Sequence, residues 1–571
     1  MVGHHNASDP ITIGLVLQTR NAEDQLKLLK ALYDPHSSSY HHWLNTGQFD
    51  ALYSASSDQV AAATDFLTAA GLHLNAGASN NRILVADGTA SQVEQAFHTT
   101  INDYRLGSGK VYYANSSSVQ LPAHLQGIVA DVLGLSDVAV MKTQSNVGSS
   151  QPNLVPPYGG GPFGRGLTPQ QFTSIYDVTP VYNKLNDRGQ NITLAVYELS
   201  NYTPGDISHY ENTFGLRHVP VVNKLVLGGT TDHSGASEVQ LDIDFEIATA
   251  PGAKQLLVYM AANNNLSSLD EFLQMAEDNQ ADVISTSWGT ACDFFTSTQD
   301  VQVENQVFVQ MSLQGQSLFD ASGDSGAFGC TAAGVSLPLP EALQIGDPTS
   351  QPYITTVGGT SFRQGGDGPF NFDPGTNPHP KYPGTSAEDV WVDVCTPSSC
   401  PGGGSAGGIG RFWGSGDYVF DPTTGQSLPG VFEPQFSQTG SYCGQQPGIL
   451  CREAPDVSLD ADPDTGFALY CTDQSDAFCT NPAIDTHHWL RIGGTSCSSP
   501  IWAGIAALDD SLHNSRLGLF NYLLYPFDSP AGYSKQFHDI TSGNNGFYPA
   551  GPDYDLATGI GTPDVFNLLA A

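Results

Sequence analysis

The chain has 571 residues, more than one ordinary core holds, and at about 150 residues per domain it divides into more than one part. Its 57 acidic residues against 20 basic ones give a formal net charge of −37, which argues against nucleic acid and anionic membrane as partners. Carboxylates neutralise in acid while bases stay charged, so a chain this poor in Lys and Arg limits self-repulsion at low pH. No apolar run reaches the roughly 18 residues a membrane helix needs.

In chain order, residues 11–142 read as a compact α/β domain. Leu26, Leu29 and Leu32 give a helical stripe stopped at Asp34-Pro35, and 60–70 repeats the pattern before Gly71, a helix C-cap. Ile83-Leu84-Val85-Ala86 reads as a strand and 90–98 as a helix. Residues 144–166 are rich in Gly, Pro, Ser and Asn and read as an exposed linker open to proteolysis. Beyond it, apolar strands at 193–197, 255–260, 283–287 and 317–321 alternate with helices at 206–214, 267–278, 305–314 and 500–511. That alternation predicts a parallel sheet flanked by helices, with sites at the carboxyl ends of its strands. Residues 363–444 are loop-rich and give no clear elements.

Nine cysteines are present, and eight group locally as Cys292 with Cys330, Cys395 with Cys400, Cys443 with Cys451, and Cys471 with Cys479. This is one of roughly 100 connectivities, and four bridges would indicate an oxidising compartment. Cys497 is left over and reads as a small packed residue. The N-terminus lacks the apolar core of an export signal, so secretion requires that such a signal be missing from this form of the chain.

Gly494-Thr495-Ser496, with Pro500 four residues on, suits a nucleophile on a strand-to-helix turn whose N–H groups point at the reacting carbonyl. Taken alone it reads first as a Ser/Thr helix cap. Residues 238–247 carry an apolar side chain at every second position, with Gln240 and four acids between them, which favours a strand with a solvated acidic face, although Val239, Ile243 and Ile247 also stand four apart. The difference matters for chemistry. Four residues span about 13 Å in a strand and about 6 Å in a helix, so only a helix lets the Glu238 and Asp242 carboxyls meet. Asp324, within Ser322-Gly323-Asp324-Ser325-Gly326, sits at the end of a strand, as either a turn former or a site residue. None of the 16 histidines lies in a His-Gly-Thr context, and the strand at 194–197 ends in Glu198, where a subtilisin would carry Asp. Asp460, Asp462 and Asp464 begin like a calcium loop, but Thr465 and Cys471 occupy positions where an EF-hand needs Gly and Glu.

Four motifs in order, Glu238-x-x-x-Asp242, Ser287-Trp288-Gly289, Ser322-Gly323-Asp324-Ser325-Gly326 and Gly494-Thr495-Ser496-x-x-x-Pro500, resemble the sedolisins, serine-carboxyl peptidases related in fold to subtilisin. Asp34-Pro35, Val93-Glu94-Gln95-Ala96-Phe97 and Val132-Leu133-Gly134-Leu135 resemble the family's kumamolisin-type activation domain. The resemblance implies an α/β chain: a subtilisin-like parallel sheet flanked by helices at 168–571, preceded by a smaller ferredoxin-like pro-domain at 10–142 and a cleavable linker at 143–167. It implies Ser496 as nucleophile, Glu238 as general base, Asp242 as the carboxyl orienting Glu238, and Asp324 as oxyanion donor, with Ser287, Trp288 and Gly289 lining the substrate cleft. It also implies one calcium site built from Asp539, Ile540, Gly551, Asp553 and Asp555, where without the resemblance an Asp/Gly-rich surface loop would be read.

The function so implied is a secreted, monomeric, acid-active endopeptidase made as a zymogen, acting on protein or peptide substrates and inhibited by its own pro-domain, with a mature start near Thr168-Pro169. A carboxylate base and a protonated oxyanion-donating Asp coexist most readily in acid. The alternatives are a Ser-His-Asp hydrolase and a catalytically silent calcium-stabilised binding protein on the same scaffold.

Overall fold

Residues Ile11, Ile13, Leu15 and Leu17 lie on one face of the strand Pro10–Leu17 and fill the core of the first domain together with Ala63, Leu67, Leu84 and Val93. Val16 points the other way, as do Ile83 and Val85 of Ile83–Thr89, and all three join the core of the second domain. A two-residue side-chain period places each strand's two apolar sets in two different cores, which explains the unbroken apolar run at 83–86. The computed structural model describes residues 1–570 apart from 106–108, 139, 148–159, 291, 293–295, 333–338, 340–341, 363–387, 394, 401–402, 415–450, 481–486 and 526–532.

The four main strands of the first domain are ordered His73–Leu74, Ile83–Thr89, Pro10–Leu17 and Val129–Leu133, all antiparallel. With the helices Ser57–Ala69 and Ala90–Phe97 in the crossovers, this is the ferredoxin-like split βαβ arrangement. Ser56 and Thr89 start those helices with capping boxes, each closed by a Gln three residues on.

In the second domain, Val221–Leu225, Gln255–Met260, Thr193–Glu198, Val283–Thr286, Ser317–Ala321 and Thr355–Phe362 run parallel in that spatial order. Val457–Asp460 pairs parallel with the last of these and Glu388–Val390 antiparallel. Every residue of Thr193–Glu198 and Ser317–Ala321 is buried, as expected of strands covered by helices on both faces. The strands expected at 193–197, 255–260 and 317–321 are present and that at 283–287 ends at Thr286; the helices at 206–214 and 267–278 lie within longer ones, and that at 305–314 lies within Thr298–Leu313 except for Gln314, its C-cap.

Three expectations change. Residues 238–247 lie in a helix, Ala236–Thr249, rather than a strand, and Glu238, Asp242, Asp244 and Glu246 are fully buried rather than solvated. The helix is enclosed on every side, so its apolar residues need no single stripe, and the period-2 pattern carries no strand signal. The helix expected from Pro500 begins at Thr495 and runs to His513, with Pro500 inside it. Proline has no N–H to offer the carbonyl four residues back, so the Ser496 carbonyl loses its helical partner and faces the Ser287 hydroxyl at 3.4 Å, whose proton goes chiefly to Asp242 Oδ1 at 2.7 Å. Finally, Gln144 and Ser145 are 9% and 8% exposed, so the start of the segment read as an exposed linker is enclosed.

Disulfides join Cys292 to Cys330, Cys395 to Cys400 and Cys471 to Cys479, and Cys497 is free and buried. The fourth grouping involves Cys443, which lies outside the described residues.

Candidate active site

The buried helices Ala236–Thr249 and Thr495–His513 pack side by side behind the carboxyl ends of the central strands. Ser496, in the first turn of the second helix, donates its hydroxyl to Glu238 Oε1 on the first, and both side chains are shut off from solvent. Asp242 stands one turn beyond Glu238 on the same helix face, and its Oδ1 accepts from Ser287 Oγ at 2.7 Å. Ser287 follows the strand Val283–Thr286, so helix and strand end converge on one point.

Glu198 extends this cluster. It ends the strand Thr193–Glu198, takes the Trp288 indole N–H on Oε2 at 2.8 Å, and hydrogen-bonds Asp242. Asp242 Oδ2 and Glu198 Oε1 are buried and meet no N–H or hydroxyl donor among the described residues, whereas the Ser145 hydroxyl lies against the Glu238 carboxyl and favours its ionised form. Adjacent carboxyl oxygens without donors satisfy one another only by sharing protons. Burial first, and the neighbouring Asp242 second, push both Glu238 and Glu198 far above the usual carboxylate range. Burial likewise raises Asp242, so the three acids retain protons well above the pH at which free carboxylates ionise.

Asp324 follows the strand Ser317–Ala321 at the turn Ser322-Gly323, where Gly323 holds φ at 113°. Its Oδ1 accepts from Thr495 N at 2.9 Å and Thr495 Oγ1 at 3.0 Å, and its Oδ2 from Asn146 Nδ2 at 2.7 Å. Burial raises its pKa to about 7, against the pull of the Thr495 and Asn146 donors, which favour the carboxylate. The middle residue of Gly494-Thr495-Ser496 thus fixes Asp324 beside the serine. Gly494, at φ 104°, has no room for a Cβ, which would strike Gln144 O and come within 2.6 Å of Asp324 Oδ2.

Ser496, Glu238, Asp242, Asp324 and Ser287 are therefore brought together, and Trp288 and Gly289 pair antiparallel with Thr143 and Lys142. Trp288 is a packed aromatic, 5% exposed. No histidine among the described residues hydrogen-bonds Ser496, Glu238 or Asp242, which leaves the Ser-His-Asp arrangement without support. Glu198 was visible as a strand end, but its contact with Asp242 was not, because the pairing is made only by the fold.

In the last part of the chain, Asp539 and Asp555 flank one loop. Asp555 Oδ2 accepts from Gly551 N at 3.0 Å and Asp539 Oδ2 from Asp553 N at 3.3 Å. Burial lifts Asp555 to about 7 in spite of four donors, from Gly551, Ala557 and Thr558. Asp553 adopts the left-handed conformation, φ 67°, which a tight turn requires. Among the described residues no group of three His, Cys, Asp or Glu side chains is close enough to hold a metal.

Residues 206–519, more than half of the chain, match the family model "Subtilase family". The chain belongs to the subtilase family. Residues 1–138 of this subtilase match "Pro-kumamolisin, activation domain". It is 29% identical to sedolisin from Pseudomonas sp. (strain 101), over 99% of this chain and 87% of the relative. It is 26% identical to kumamolisin from Bacillus sp. (strain MN-32), over 98% and 91%. The solved structure of Pseudomonas sedolisin, a serine-carboxyl proteinase complexed with two molecules of pseudo-iodotyrostatin, superposes with a TM-score of 0.54 at 26% identity, covering 71% of this chain and 97% of that one. Within the subtilases this is a sedolisin- and kumamolisin-like serine-type peptidase carrying a zymogen activation domain, which removes the silent binding protein as a reading.

Proposed function

We propose that the chain is the zymogen of an acid-active endopeptidase in which Ser496 is the nucleophile and Glu238 its general base. The observation that carries this reading is the hydrogen bond from Ser496 Oγ to Glu238 Oε1 in a site closed to solvent. Ser496 Oγ attacks a peptide carbonyl and passes its proton to Glu238 in the ionised fraction of that carboxyl, a fraction that water entering the uncovered cleft enlarges because burial is what chiefly holds the Glu238 proton. Glu238 returns the proton to the leaving amine, and water then releases the acyl group by the same route. Asp242, held by Ser287, keeps the Glu238 carboxyl facing the serine. Protonated Asp324 and the Ser496 N–H stabilise the oxyanion. Asp324 donates only while it keeps its proton, so activity falls as pH rises through a pKa near 7 in the covered site. Ser287, Trp288 and Gly289 offer a strand edge on which an extended substrate pairs.

The boundaries 10–142, 143–167 and 168–571 belong to this reading. Thr168 caps the helix Pro169–Ile175. Leu167, fully buried, bonds Gly466 and Ala468 across the peptidase body, which suits a catalytic domain that begins at or slightly before this point. Three disulfides suit secretion into an oxidising environment. The pro-domain acts as an intramolecular inhibitor while its tail lies in the cleft.

One calcium ion belongs to the reading as well. A loop pinned between two carboxylates, with one of them buried, supplies the hard oxygens calcium prefers, and only two of the proposed ligands need be charged. Asp539 and Asp555 would hold the ion with the carbonyls of Ile540, Gly551 and Asp553, and it would stabilise the loop, away from the reacting atoms.

An active-site-directed peptide phosphonate, which loses its leaving group to form a stable ester with a serine hydroxyl, tests the function. Mass mapping is expected to find it on Ser496 in the mature enzyme and to find no label on Glu238→Gln. Label on another residue, or equal labelling of Glu238→Gln, contradicts the proposal.

A further inference from the structure

The segment that leaves the pro-domain does not pass around the cleft but lies along it. Val140 N and Met141 N donate to Asn263 Oδ1 at 3.0 and 3.1 Å, and Asn263 Nδ2 donates to Met141 O at 2.8 Å. Lys142 and Thr143 then pair antiparallel with Gly289 and Trp288, and Gln144 N donates to Ser287 O at 3.2 Å. Downstream, Asn146 and Val147 pair antiparallel with Gly493 and Ile492, the residues that lead into Gly494-Thr495-Ser496. The chain is thus held by backbone bonds on both sides of the serine.

Between the two pairings, the Gln144 carbonyl oxygen accepts from Ser496 N at 3.1 Å, and it crowds the Cβ position of Gly494 alongside Asp324 Oδ2. A donor at the nucleophile's own N–H, aimed at a carbonyl whose residue is anchored on the Ser287 edge, is the geometry of a scissile bond held in an oxyanion site. The Gln144 N–H also reaches Glu238 Oε1 at 3.2 Å, so the base and the nucleophile's amide flank one residue.

We infer that Gln144–Ser145 is the first bond this enzyme cuts, in its own chain, and that its cleft accepts a neutral amide side chain immediately before the scissile bond. The inference rests on the peptidase reading above and adds the bond and the substrate class to it. The Gln144 side chain extends between Gly289 and Gly323: its Nε2 lies 3.5 Å from the Cβ position of the first, its Oε1 3.6 Å from that of the second. Two glycines leave that space open, and φ of 113° at Gly323 disfavours any side chain there.

The reaction balances within the site. Ser496 Oγ bonds the Gln144 carbonyl carbon and its proton passes to Glu238. The C–N bond to Ser145 breaks and the new Ser145 amine takes the proton. Water then attacks the Ser496–Gln144 ester, leaving a Gln144 carboxylate and a free Ser496. The first products are residues 1–144 and 145–571, so the first amino terminus stands at Ser145, upstream of Thr168, and any shorter form arises by later trimming.

The test uses the full chain as wild type, Ser496→Ala and Ser145→Pro, incubated in acid and followed by intact mass. Ser145 N bonds none of the described residues, so proline there removes no backbone hydrogen bond. The wild type is expected to split into 1–144 and 145–571, Ser496→Ala to stay whole, and Ser145→Pro to lose this cut by roughly tenfold or more. The mature enzyme is expected to cut the synthetic peptide Val-Met-Lys-Thr-Gln-Ser-Asn-Val after Gln. A first cut of the wild type elsewhere, with Ser496→Ala whole, overturns the inference and leaves the peptidase reading standing. Equal splitting of wild type and Ser496→Ala overturns self-cleavage. A wild type that neither splits nor cuts any peptide fails with the peptidase reading itself.

Discussion

Raising the pH from 4 to 7 is expected to destabilise the zymogen, and the buried carboxyls set the size of the effect. Asp324 moves from 3.8 to about 7 and Asp270, 5% exposed, from 3.8 to about 7, each chiefly through burial. A raised native pKa means the folded chain holds more protons than the unfolded one between those two values, so stability is fully present below pH 3.8 and falls as pH climbs toward 7. For each group that loss is at most about 4 kcal/mol. With an unfolding entropy of about 2.1 cal/mol/K per residue, a 571-residue chain loses roughly 3 °C of Tm for each. The drop for the two together is therefore roughly 3 to 7 °C, and the repulsion among surface carboxylates that ionise over the same range acts in the same direction. The experiment is a thermal melt of full-length Ser496→Ala, which cannot process itself, at pH 4, 5, 6 and 7. Adding Asp324→Asn removes one titrating group and is expected to shrink the drop by about 3 °C. A Tm that rises or stays level from pH 4 to 7 would refute the reasoning, as would a drop that Asp324→Asn leaves unchanged.

Other outcomes follow from the same site. Glu238→Gln keeps the shape of the base but cannot take a proton, so kcat is expected to fall by roughly 10² to 10⁴ with KM little changed, as measured on a peptide substrate. Asp324→Ala removes an oxyanion donor and is expected to lower kcat by roughly 10² to 10³. Asp324→Asn keeps a donor that no longer titrates, so its activity is expected to extend further toward neutral pH than that of the wild type, read as a shift in the alkaline limb of the rate profile. Calcium at 100 times its dissociation constant stabilises by about 2.7 kcal/mol, so chelation is expected to lower Tm in the wild type and to leave Asp555→Ala, already less stable, unmoved.

Much of this was legible in the residues. Unbroken apolar strands alternating with helices belong to a parallel sheet buried on both faces, and the strands found at Thr193–Glu198 and Ser317–Ala321 have that character. The Gly-Thr-Ser stretch showed both a helix start and a nucleophile because one local structure performs both roles. The helix Ala236–Thr249 was ambiguous for a physical reason: side chains four apart are also an even number apart, so a helix buried all round can carry a strand's alternation. The depth at which its acids lie follows from tertiary packing, which no period reports. Residues Gln144 to Asn146 were misread as exposed because Ser and Asn report on local backbone preference, while the enclosure comes from strands far away in sequence, at Trp288–Gly289 and Trp489–Gly493. The contact between Asp242 and Glu198 depends in the same way on a helix and a strand end meeting.

The central claim is that Ser496 works with a carboxylate base in acid, and the pH dependence of kcat/KM for mature wild type and Glu238→Gln, from pH 3 to 8, tests it most directly. The account predicts a wild-type maximum in acid that declines before pH 7, with Glu238→Gln lower throughout by roughly 10² to 10⁴. A wild-type maximum near pH 8, or a Glu238→Gln enzyme with undiminished kcat/KM, would contradict it.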